Sequence, residues 1–249
     1  MVVSSRQKYI IDMDKHRLCI MQSKPYCIMV DMYFTHGKVT LHYEIYGNGY
    51  PLIMLHGNGE DITIFSKAIE KLESTFTIYA IDTRGHGKSS PIHEYHYSDM
   101  ADDLYAFITE LGIERPAIFG FSDGGITALM LGYTHPEAVS AIIASGANSS
   151  PKGLKTLYRF GYRKLSHFYH DPKIGLMLRE PQMTKEDLEK ITVPVLLTAG
   201  SKDMIKKEDT EFLHSSIRGS SLMILEGEGH ASYVADSDKI AEIIKDFLI

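Results

Sequence analysis

Gly120-Phe121-Ser122-Asp123-Gly124-Gly125 separates an apolar run, Pro116-Ala117-Ile118-Phe119, from a helical pattern that begins at Ile126. The glycines at positions 120 and 124 leave room for a turn too tight for larger side chains. Such a turn holds Ser122 in a strained conformation with its hydroxyl exposed at a sheet edge, and the next helix directs its free N–H groups there. A G-x-S-x-G stretch between strand and helix therefore predicts a nucleophile elbow.

Two later segments supply partners for this serine. Strand-like Val193–Ala199 leads into Gly200-Ser201-Lys202-Asp203, and strand-like Leu222–Leu225 leads into Gly227-Glu228-Gly229-His230. An imidazole near neutrality can accept the hydroxyl proton and later return it to a leaving group. A carboxylate can hold that imidazole in the correct tautomer. We therefore predict a catalytic triad of Ser122, Asp203 and His230.

The chain resembles the α/β-hydrolase superfamily from about Met32 to Ile249. The landmarks are His56-Gly57-Asn58-Gly59, the stretch from Asp82 to Ser89, the elbow, Gly200–Asp203 and Gly229-His230. The chain order Ser, Asp, His is also the order in that superfamily. The resemblance implies an α/β fold with a doubly wound, mostly parallel sheet and a short helical lid.

Within the superfamily, two stretches resemble the valacyclovir-hydrolase-like branch, whose members cleave esters of α-amino acids. They are the stretch from Gly120 to Leu129 and the later Gly146-Ala147-Asn148. The resemblance also implies an oxyanion hole made of two backbone N–H groups, those of Asn58 and Asp123. His56 and His86 are expected to shape their loops rather than to perform chemistry.

Asp123, next to the nucleophile, has two interpretations. Its carboxylate could attract a cation such as the ammonium group of an amino acid ester. An aspartate at a helix N-terminus is also favourable without any ligand, by about 0.3–1 kcal/mol. Asp123 is therefore a candidate substrate-binding residue, and both interpretations are kept open.

Composition restricts the class of protein. A chain of 249 residues with 44% hydrophobic and 23% charged residues is ordinary for a globular domain. The net charge of −6 argues against non-specific binding to nucleic acid. Two cysteines, Cys19 and Cys27, do not suggest a disulfide scaffold. There is neither an apolar run long enough to span a membrane nor a secretory signal pattern, so we expect a cytoplasmic protein without a membrane partner.

The chain divides into two regions. Residues 1–31 carry mixed charge and no clear period, and form an N-terminal extension of uncertain status. Either translation begins at Met29 or Met32, or the extension is an extra element on the outside of the fold. Residues 32–249 form the hydrolase domain.

Strand and helix patterns alternate through most of that domain. The apolar runs at Leu52–Leu55, Phe76–Ile81 and Ala141–Ala144 are typical of strands covered on both faces. Helical spacing of apolar residues predicts a helix from Ser98, as its N-cap, to Leu111, with Gly112 ending it. Alternating strands and helices predict the doubly wound sheet.

Residues from about 149 to 191 break this alternation, with helical patterns and no strand. This is where the superfamily carries its lid, which shapes the substrate pocket. Tyr158, Phe160, Tyr162 and Met177 are candidate substrate contacts, although most apolar residues of the segment are expected only to pack onto the core. Its lysines and arginines are expected to form a solvated face.

We therefore predict a carboxylesterase-like serine hydrolase that cleaves small carboxylic esters, including α-amino acid esters, through an acyl-enzyme. The alternatives are hydrolysis of an amide, thioester or carbon–carbon bond, and a hydrolase-like binding or receptor protein with little turnover. The sequence contains neither H-E-x-x-H nor C-x-x-C, and the predicted chemistry needs no metal or cofactor. The expected partner is a small-molecule ester or related acyl substrate, and no oligomeric state is predicted.

Overall fold

A computed structural model of the protein describes residues 9–12, 17–20 and 31–249. Strands β1 (Tyr9–Asp12) and β2 (Arg17–Ile20) pair with each other in antiparallel fashion, as a two-stranded sheet of their own. The N-terminal extension assigned to residues 1–31 lies mostly outside the described residues, as does the possible start at Met29. Met32 is the first residue of a strand in the main sheet.

Within the described residues, eight strands form the main sheet, in the order β10-β9-β8-β7-β5-β6-β4-β3. They are β3 (Met32–His36), β4 (Val39–Tyr46), β5 (Tyr50–Leu55), β6 (Phe76–Ile81), β7 (Ala117–Phe121), β8 (Ala141–Ser145), β9 (Val195–Gly200) and β10 (Ser221–Leu225). The pairs β3–β4 and β4–β6 are antiparallel, and all other neighbours in this sheet are parallel. The predicted mostly parallel sheet is confirmed.

Helices cover both faces of this sheet. The α-helices of the described residues, these included, are α1 (Ser66–Leu72), α2 (Tyr97–Glu110), α3 (Asp123–Thr134), α4 (Thr156–Tyr169), α5 (Pro172–Arg179), α6 (Lys185–Leu188), α7 (Lys207–Ser216) and α8 (Lys239–Leu248). In the described part of the chain, no helix is both long enough and apolar enough to cross a bilayer.

Strand β5 shows why the central strands are continuously apolar. Successive side chains of a strand point to opposite faces. Leu52 and Met54 pack into one hydrophobic core, together with buried residues of α1 and α8. Ile53 and Leu55 pack into the other core, together with residues of α2 and α3. Both faces are therefore buried, which confirms the doubly wound architecture.

The sequence predicts the end of helix α2 correctly but not its start. Its first residue is Tyr97 and its N-cap is His96, so the prediction of Ser98 as the cap is wrong. The Tyr97 N–H instead donates to a carboxylate oxygen of Glu180, at 3.1 Å, because Glu180 follows α5 and lies against this helix end. Gly112, with a φ of +62°, follows the helix as predicted.

Three helices, α4, α5 and α6, fill the connection between β8 and β9, where helices without a strand were predicted. Leu154 and Leu176 in this connection are buried, as expected. For Leu157 and Phe168 the expected packing onto the core is wrong, since their exposed fractions are 78% and 72%. Tyr158 and Phe160, two of the candidate substrate contacts, are 45% and 57% exposed. All four of these residues lie on α4, a helix that does not pack into the core and contains no buried residue.

Candidate active site

The turn between β7 and α3 places Ser122 at the carboxyl edge of the sheet. Ser122 has a φ of +52°, a left-handed conformation that costs a non-glycine residue free energy. The flanking glycines make this turn possible. A Cβ atom at Gly120 would lie 2.2 Å from the Gly124 carbonyl oxygen, and one at Gly124 would lie 2.3 Å from the Leu55 carbonyl oxygen.

Three side chains from distant parts of the sequence meet at this edge. The Ser122 Oγ lies 3.0 Å from His230 Nε2, and His230 Nδ1 lies 2.7 Å from Asp203 Oδ1. The three residues follow β7, β10 and β9, respectively. Parallel strands bring their carboxyl ends to one edge of a sheet, which is why residues so far apart in the chain converge here.

Asp203 is almost fully buried and is held by its own loop. Its Oδ1 also accepts a hydrogen bond from the Ile205 N–H, at 2.9 Å. The Lys155 ammonium donates to the Asp203 carbonyl oxygen. The other carboxylate oxygen, Oδ2, has no hydrogen-bond partner within the residues that the structure describes. A carboxylate fixed beside Nδ1 favours a proton on that nitrogen, which leaves Nε2 free to face Ser122.

The imidazole of His230 fits into a space that Gly146 keeps open. Gly146 follows β8 and has a φ of +64°, and a Cβ atom there would lie 2.8 Å from His230 Cε1. On another side, the His230 ring packs against the Phe121 ring, with 5.0 Å between their centroids. These contacts limit the orientations that the imidazole can take.

Asn58 and Asp123, the predicted donors of the oxyanion hole, lie next to Ser122. Asp123 is the first residue of α3, so its N–H has no acceptor within the helix. No backbone carbonyl oxygen among the described residues accepts a hydrogen bond from the Asn58 N–H either. The Asn58 side chain also donates to Asp123 Oδ2, at 2.8 Å, and to the Lys173 carbonyl oxygen, at 3.3 Å.

Both oxygens of the Asp123 carboxylate accept hydrogen bonds. Its Oδ1 accepts a hydrogen bond from the Tyr97 hydroxyl, at 2.7 Å, and its Oδ2 accepts the one from Asn58. Only 5% of Asp123 is exposed, and burial raises the pKa of its carboxyl above the usual value. Burial and the adjacent Asp123 charge likewise raise the pKa of the Tyr97 hydroxyl.

A cavity of about 250 Å³ opens beside the Ser122 hydroxyl. The residues that line it are Gly57, Asn58, Glu60, Phe121, Ser122, Tyr162, Ile174, Met177, Met204, His230 and Ala231. Tyr162 and Met177 thus lie where substrate contacts were predicted, whereas Tyr158 and Phe160 do not line the cavity. Side chains two positions apart on a helix point in nearly opposite directions, so Phe160 faces away from Tyr162.

Glu60 is a site residue that the sequence analysis missed. Its carboxylate lines the cavity, and its Oε2 accepts a hydrogen bond from the Gly57 N–H, at 2.9 Å. Burial raises the pKa of the Glu60 carboxyl, and the hydrogen bond from Gly57 and the nearby His230 offset part of this rise. Glu60 comes directly after His56-Gly57-Asn58-Gly59 in the sequence. This position could have identified it as a candidate, because residues next to a loop at the site also lie near the site.

His56 and His86 form hydrogen bonds inside neighbouring loops. His56 Nδ1 lies 2.8 Å from the Gly57 carbonyl oxygen. His56 Nε2 accepts a hydrogen bond from the Thr83 N–H, at 3.0 Å. Burial lowers the pKa of His56, and burial together with the nearby His56 lowers the pKa of His86 to about 4. Both rings are therefore neutral near pH 7.

A group of potential metal ligands occurs elsewhere in the described part of the chain. Asp31, His42 and Glu44 bring one ligand atom each within 4.8 Å of one another. The Lys88 ammonium lies 2.7 Å from Asp31 Oδ1 and 3.9 Å from Glu44 Oε1, so this cluster already holds a cation. It offers no argument for a metal in the reaction.

Comparison with known proteins shows the family of this chain. Residues 50–170 match the family described as alpha/beta hydrolase fold, a stretch that contains the elbow and its flanking strands. The chain belongs to the α/β-hydrolase superfamily. This confirms the predicted superfamily and fold class.

Two similar proteins whose names state an activity are hydrolases. Pimeloyl-[acyl-carrier protein] methyl ester esterase from Neisseria meningitidis is 28% identical over 78% of this chain and 91% of its own length. Serine hydrolase BPHL from Mus musculus is 26% identical over 98% of this chain and 97% of its own length, which supports the predicted branch of this α/β hydrolase.

Among solved structures, carboxylesterase CesB from Bacillus subtilis superposes with a TM-score of 0.73. It is 19% identical, and the match covers 88% of this chain and 91% of CesB. At that identity the likeness concerns the fold of this α/β hydrolase.

Proposed function

We propose that this α/β hydrolase is a serine esterase that cleaves small carboxylic esters through an acyl-enzyme. The observation that carries the proposal is the hydrogen-bonded series from Ser122 through His230 to Asp203, with distances of 3.0 and 2.7 Å, beside a cavity. A hydroxyl is a weak nucleophile unless a base lies within hydrogen-bond reach, and this series supplies one.

In the first half of the reaction, Ser122 Oγ attacks the carbonyl carbon of the ester while His230 Nε2 takes the hydroxyl proton. The carbonyl oxygen becomes an oxyanion, which accepts hydrogen bonds from the N–H groups of Asn58 and Asp123. The tetrahedral intermediate then collapses, the bond to the alcohol oxygen breaks, and His230 gives that oxygen the proton. The acyl group stays on Ser122.

In the second half, water replaces the alcohol. His230 removes a proton from the water as its oxygen attacks the acyl carbon, and the same two N–H groups stabilise the second oxyanion. Collapse breaks the bond to Ser122 Oγ, which recovers its proton from His230, and the carboxylic acid leaves. Asp203 stabilises the imidazolium in both halves and does not itself become protonated.

The size and walls of the cavity support a small ester as the substrate. Its volume is about 250 Å³, and its side walls carry Phe121, Ile174 and Met204 among other apolar residues. Apolar walls with a few polar groups at one end are typical of small-molecule sites. Ester hydrolysis is also the activity named for the Neisseria meningitidis relative.

We extend the proposal to α-amino acid esters, as the branch resemblance implies. Two carboxylates near the nucleophile are candidates for binding the ammonium group of such an ester. Asp123 is adjacent in sequence, but its two oxygens already accept hydrogen bonds from Tyr97 and Asn58. Glu60 lines the cavity itself. The geometry thus favours Glu60 for contact with the ammonium group and Asp123 for holding the Asn58 loop.

We also propose that residues 149–191 act as a lid on the domain formed by residues 32–249. Tyr162 from α4, and Ile174 and Met177 from α5, contribute to the cavity wall. A segment that forms one wall of a substrate cavity can control both its shape and the access of water.

Hydrolysis of p-nitrophenyl acetate and butyrate tests the proposal. We expect turnover by the wild-type protein and by Ser215→Ala, a control at an exposed serine of α7. Ser122→Ala is expected to lose about 10⁴-fold or more in kcat/KM, as for other catalytic serines. Equal activity of Ser122→Ala would contradict the proposal, and turnover of thioesters or amides only would transfer the same mechanism to another acyl bond.

A further inference from the structure

Helix α4 turns its apolar side to the solvent. It has 14 residues and no buried one. At about 100° per residue, Leu157, Phe160 and Phe168 fall on one side of the helix and Tyr162 and Ser166 on the other. The first three are exposed, whereas the last two are half-buried. This orientation is the reverse of an ordinary surface helix, whose apolar side faces the core.

The same helix lies in a segment of uniform charge. Residues 149–170 contain five basic residues, Lys152, Lys155, Arg159, Arg163 and Lys164, and no aspartate or glutamate. The whole chain has a net charge of −6, so positive charge is concentrated here against the overall balance. The Lys164 ammonium lies 4.6 Å from the centre of the exposed Phe160 ring, which places a cation directly beside the apolar side.

An exposed apolar stripe bordered by lysine and arginine is the signature of a helix that lies in the headgroup region of a bilayer. Apolar side chains enter the boundary with the acyl chains, while the basic residues meet anionic headgroups. We propose that the outer side of α4, formed by Leu157, Phe160, Lys164, Leu165 and Phe168, binds to a membrane surface that contains anionic lipid.

The charges favour a lipid surface over a second copy of this chain. A two-fold contact of α4 with α4 would place arginine and lysine residues of one copy against those of the other, and like charges repel. An anionic bilayer would instead attract the exposed residues Arg163 and Lys164. The expectation of no membrane partner rested on the lack of a spanning segment, and a helix in the plane of the interface needs none.

Vesicle flotation tests this inference without reference to enzyme activity. The probes are vesicles of phosphatidylcholine alone and of phosphatidylcholine with 30% phosphatidylglycerol. The variants are Leu157→Ser/Phe168→Ser, Arg163→Gln/Lys164→Gln, and a control, Lys38→Gln/Lys71→Gln, which removes two exposed charges elsewhere. All the changed side chains are exposed, so circular dichroism spectra and melting temperatures should stay close to those of the wild type.

We expect the wild type to bind the anionic vesicles at least tenfold more tightly than the neutral ones, and to bind less at high salt. The apolar double variant should lose at least tenfold in affinity. The basic double variant should lose about fivefold for each charge, while the control stays within about twofold of the wild type. These results together would support the inference.

Failure of the wild type to float with anionic vesicles would overturn it. Equal flotation of the two α4 variants and the control would overturn it as well. Sedimentation would show whether a second copy covers this side instead. If the wild type forms a dimer, Leu157→Ser/Phe168→Ser dissociates it, and no vesicle binding is found, then α4 forms a contact between copies.

Discussion

The Asn58 and Asp123 side chains are hydrogen-bonded to each other, with 2.8 Å between Asn58 Nδ2 and Asp123 Oδ2. The two residues also carry the N–H groups that we propose for the oxyanion hole. Asn58 belongs to the loop after β5, and Asp123 begins α3. Their side chains therefore tie together the two segments whose backbone donors must converge on one oxygen atom.

This tie predicts a moderate effect of Asn58→Ala on catalysis. The variant keeps the backbone N–H but releases the loop, so we expect kcat for p-nitrophenyl butyrate to fall about tenfold, less than the 10²–10³ typical of losing a donor outright. KM should change little, because the contact matters most when charge develops on the oxygen. A loss as large as that of Ser122→Ala would show that Asn58 has a more direct role.

A second prediction separates the two carboxylates, Glu60 and Asp123, that lie near the proposed nucleophile Ser122. Benzyl glycinate and benzyl propionate differ by an ammonium group in place of a methyl group. In a Ser122→Ala background, which binds without hydrolysis, we expect the glycinate to bind at least tenfold more tightly. Adding Glu60→Gln should remove that preference, because the amide can still accept the hydrogen bond from the Gly57 N–H but carries no charge.

The control in this experiment is Asp123→Asn, added to the same background. We expect it to leave the preference for benzyl glycinate in place, since the Asp123 carboxylate already accepts hydrogen bonds from Tyr97 and Asn58. Loss of the preference in Asp123→Asn and its persistence in Glu60→Gln would exchange the two assignments.

A third prediction concerns the elbow. Gly120→Ala places a Cβ atom 2.2 Å from the Gly124 carbonyl oxygen, where only a backbone shift can relieve the overlap. We expect a loss of about 3 kcal/mol in the free energy of unfolding, together with loss of activity. Gly161→Ala is the matched control, because a Cβ atom there meets nothing within 4 Å and alanine favours a helix by up to about 1 kcal/mol. Urea unfolding measures both, and equal midpoints would refute the steric account.

A fourth prediction follows from the pKa of His86, which is lowered to about 4 in the folded protein from an ordinary value of 6.5. Below pH 6.5 the unfolded chain takes up a proton that the folded protein does not bind until about pH 4. Acidification through that window should therefore favour unfolding, by about 1.4 kcal/mol per pH unit from this group.

Urea unfolding of the wild type and of His86→Gln between pH 7 and pH 4.5 checks this. The free energy of unfolding should fall more steeply with acidification in the wild type, since the variant has no imidazole at this position. His56 is present in both proteins, so its effect largely cancels in the comparison. Parallel curves would mean that the His86 ring is protonated in the folded protein at higher pH.

The sequence predicted the elements whose patterns are set locally. The strand at Phe76–Ile81 was predicted with the bounds that the structure has. Ser122, Asp203 and His230 could be selected because each follows an apolar strand in a loop with glycine neighbours, and parallel strands bring such loops together.

Features that depend on another element were not predictable in this way. The start of α2 depends on Glu180, which lies more than 80 positions later in the chain. Likewise, nothing in the periodicity of α4 reveals which of its sides meets the protein, because an amphipathic pattern fixes two sides but not their partners. The sequence therefore could not show that Tyr162 lines the cavity whereas Phe160, also a candidate contact, does not.

The most direct test of the proposed mechanism is reaction with a fluorophosphonate, which bonds to an activated serine as fluoride leaves. Mass spectrometry of the digested protein should find one phosphonyl group per chain, on the peptide that contains Ser122. The adduct should be absent in Ser122→Ala and should form far more slowly in His230→Ala. No adduct with the folded wild-type protein, or an adduct on a different residue, would contradict the assignment of Ser122 as the nucleophile.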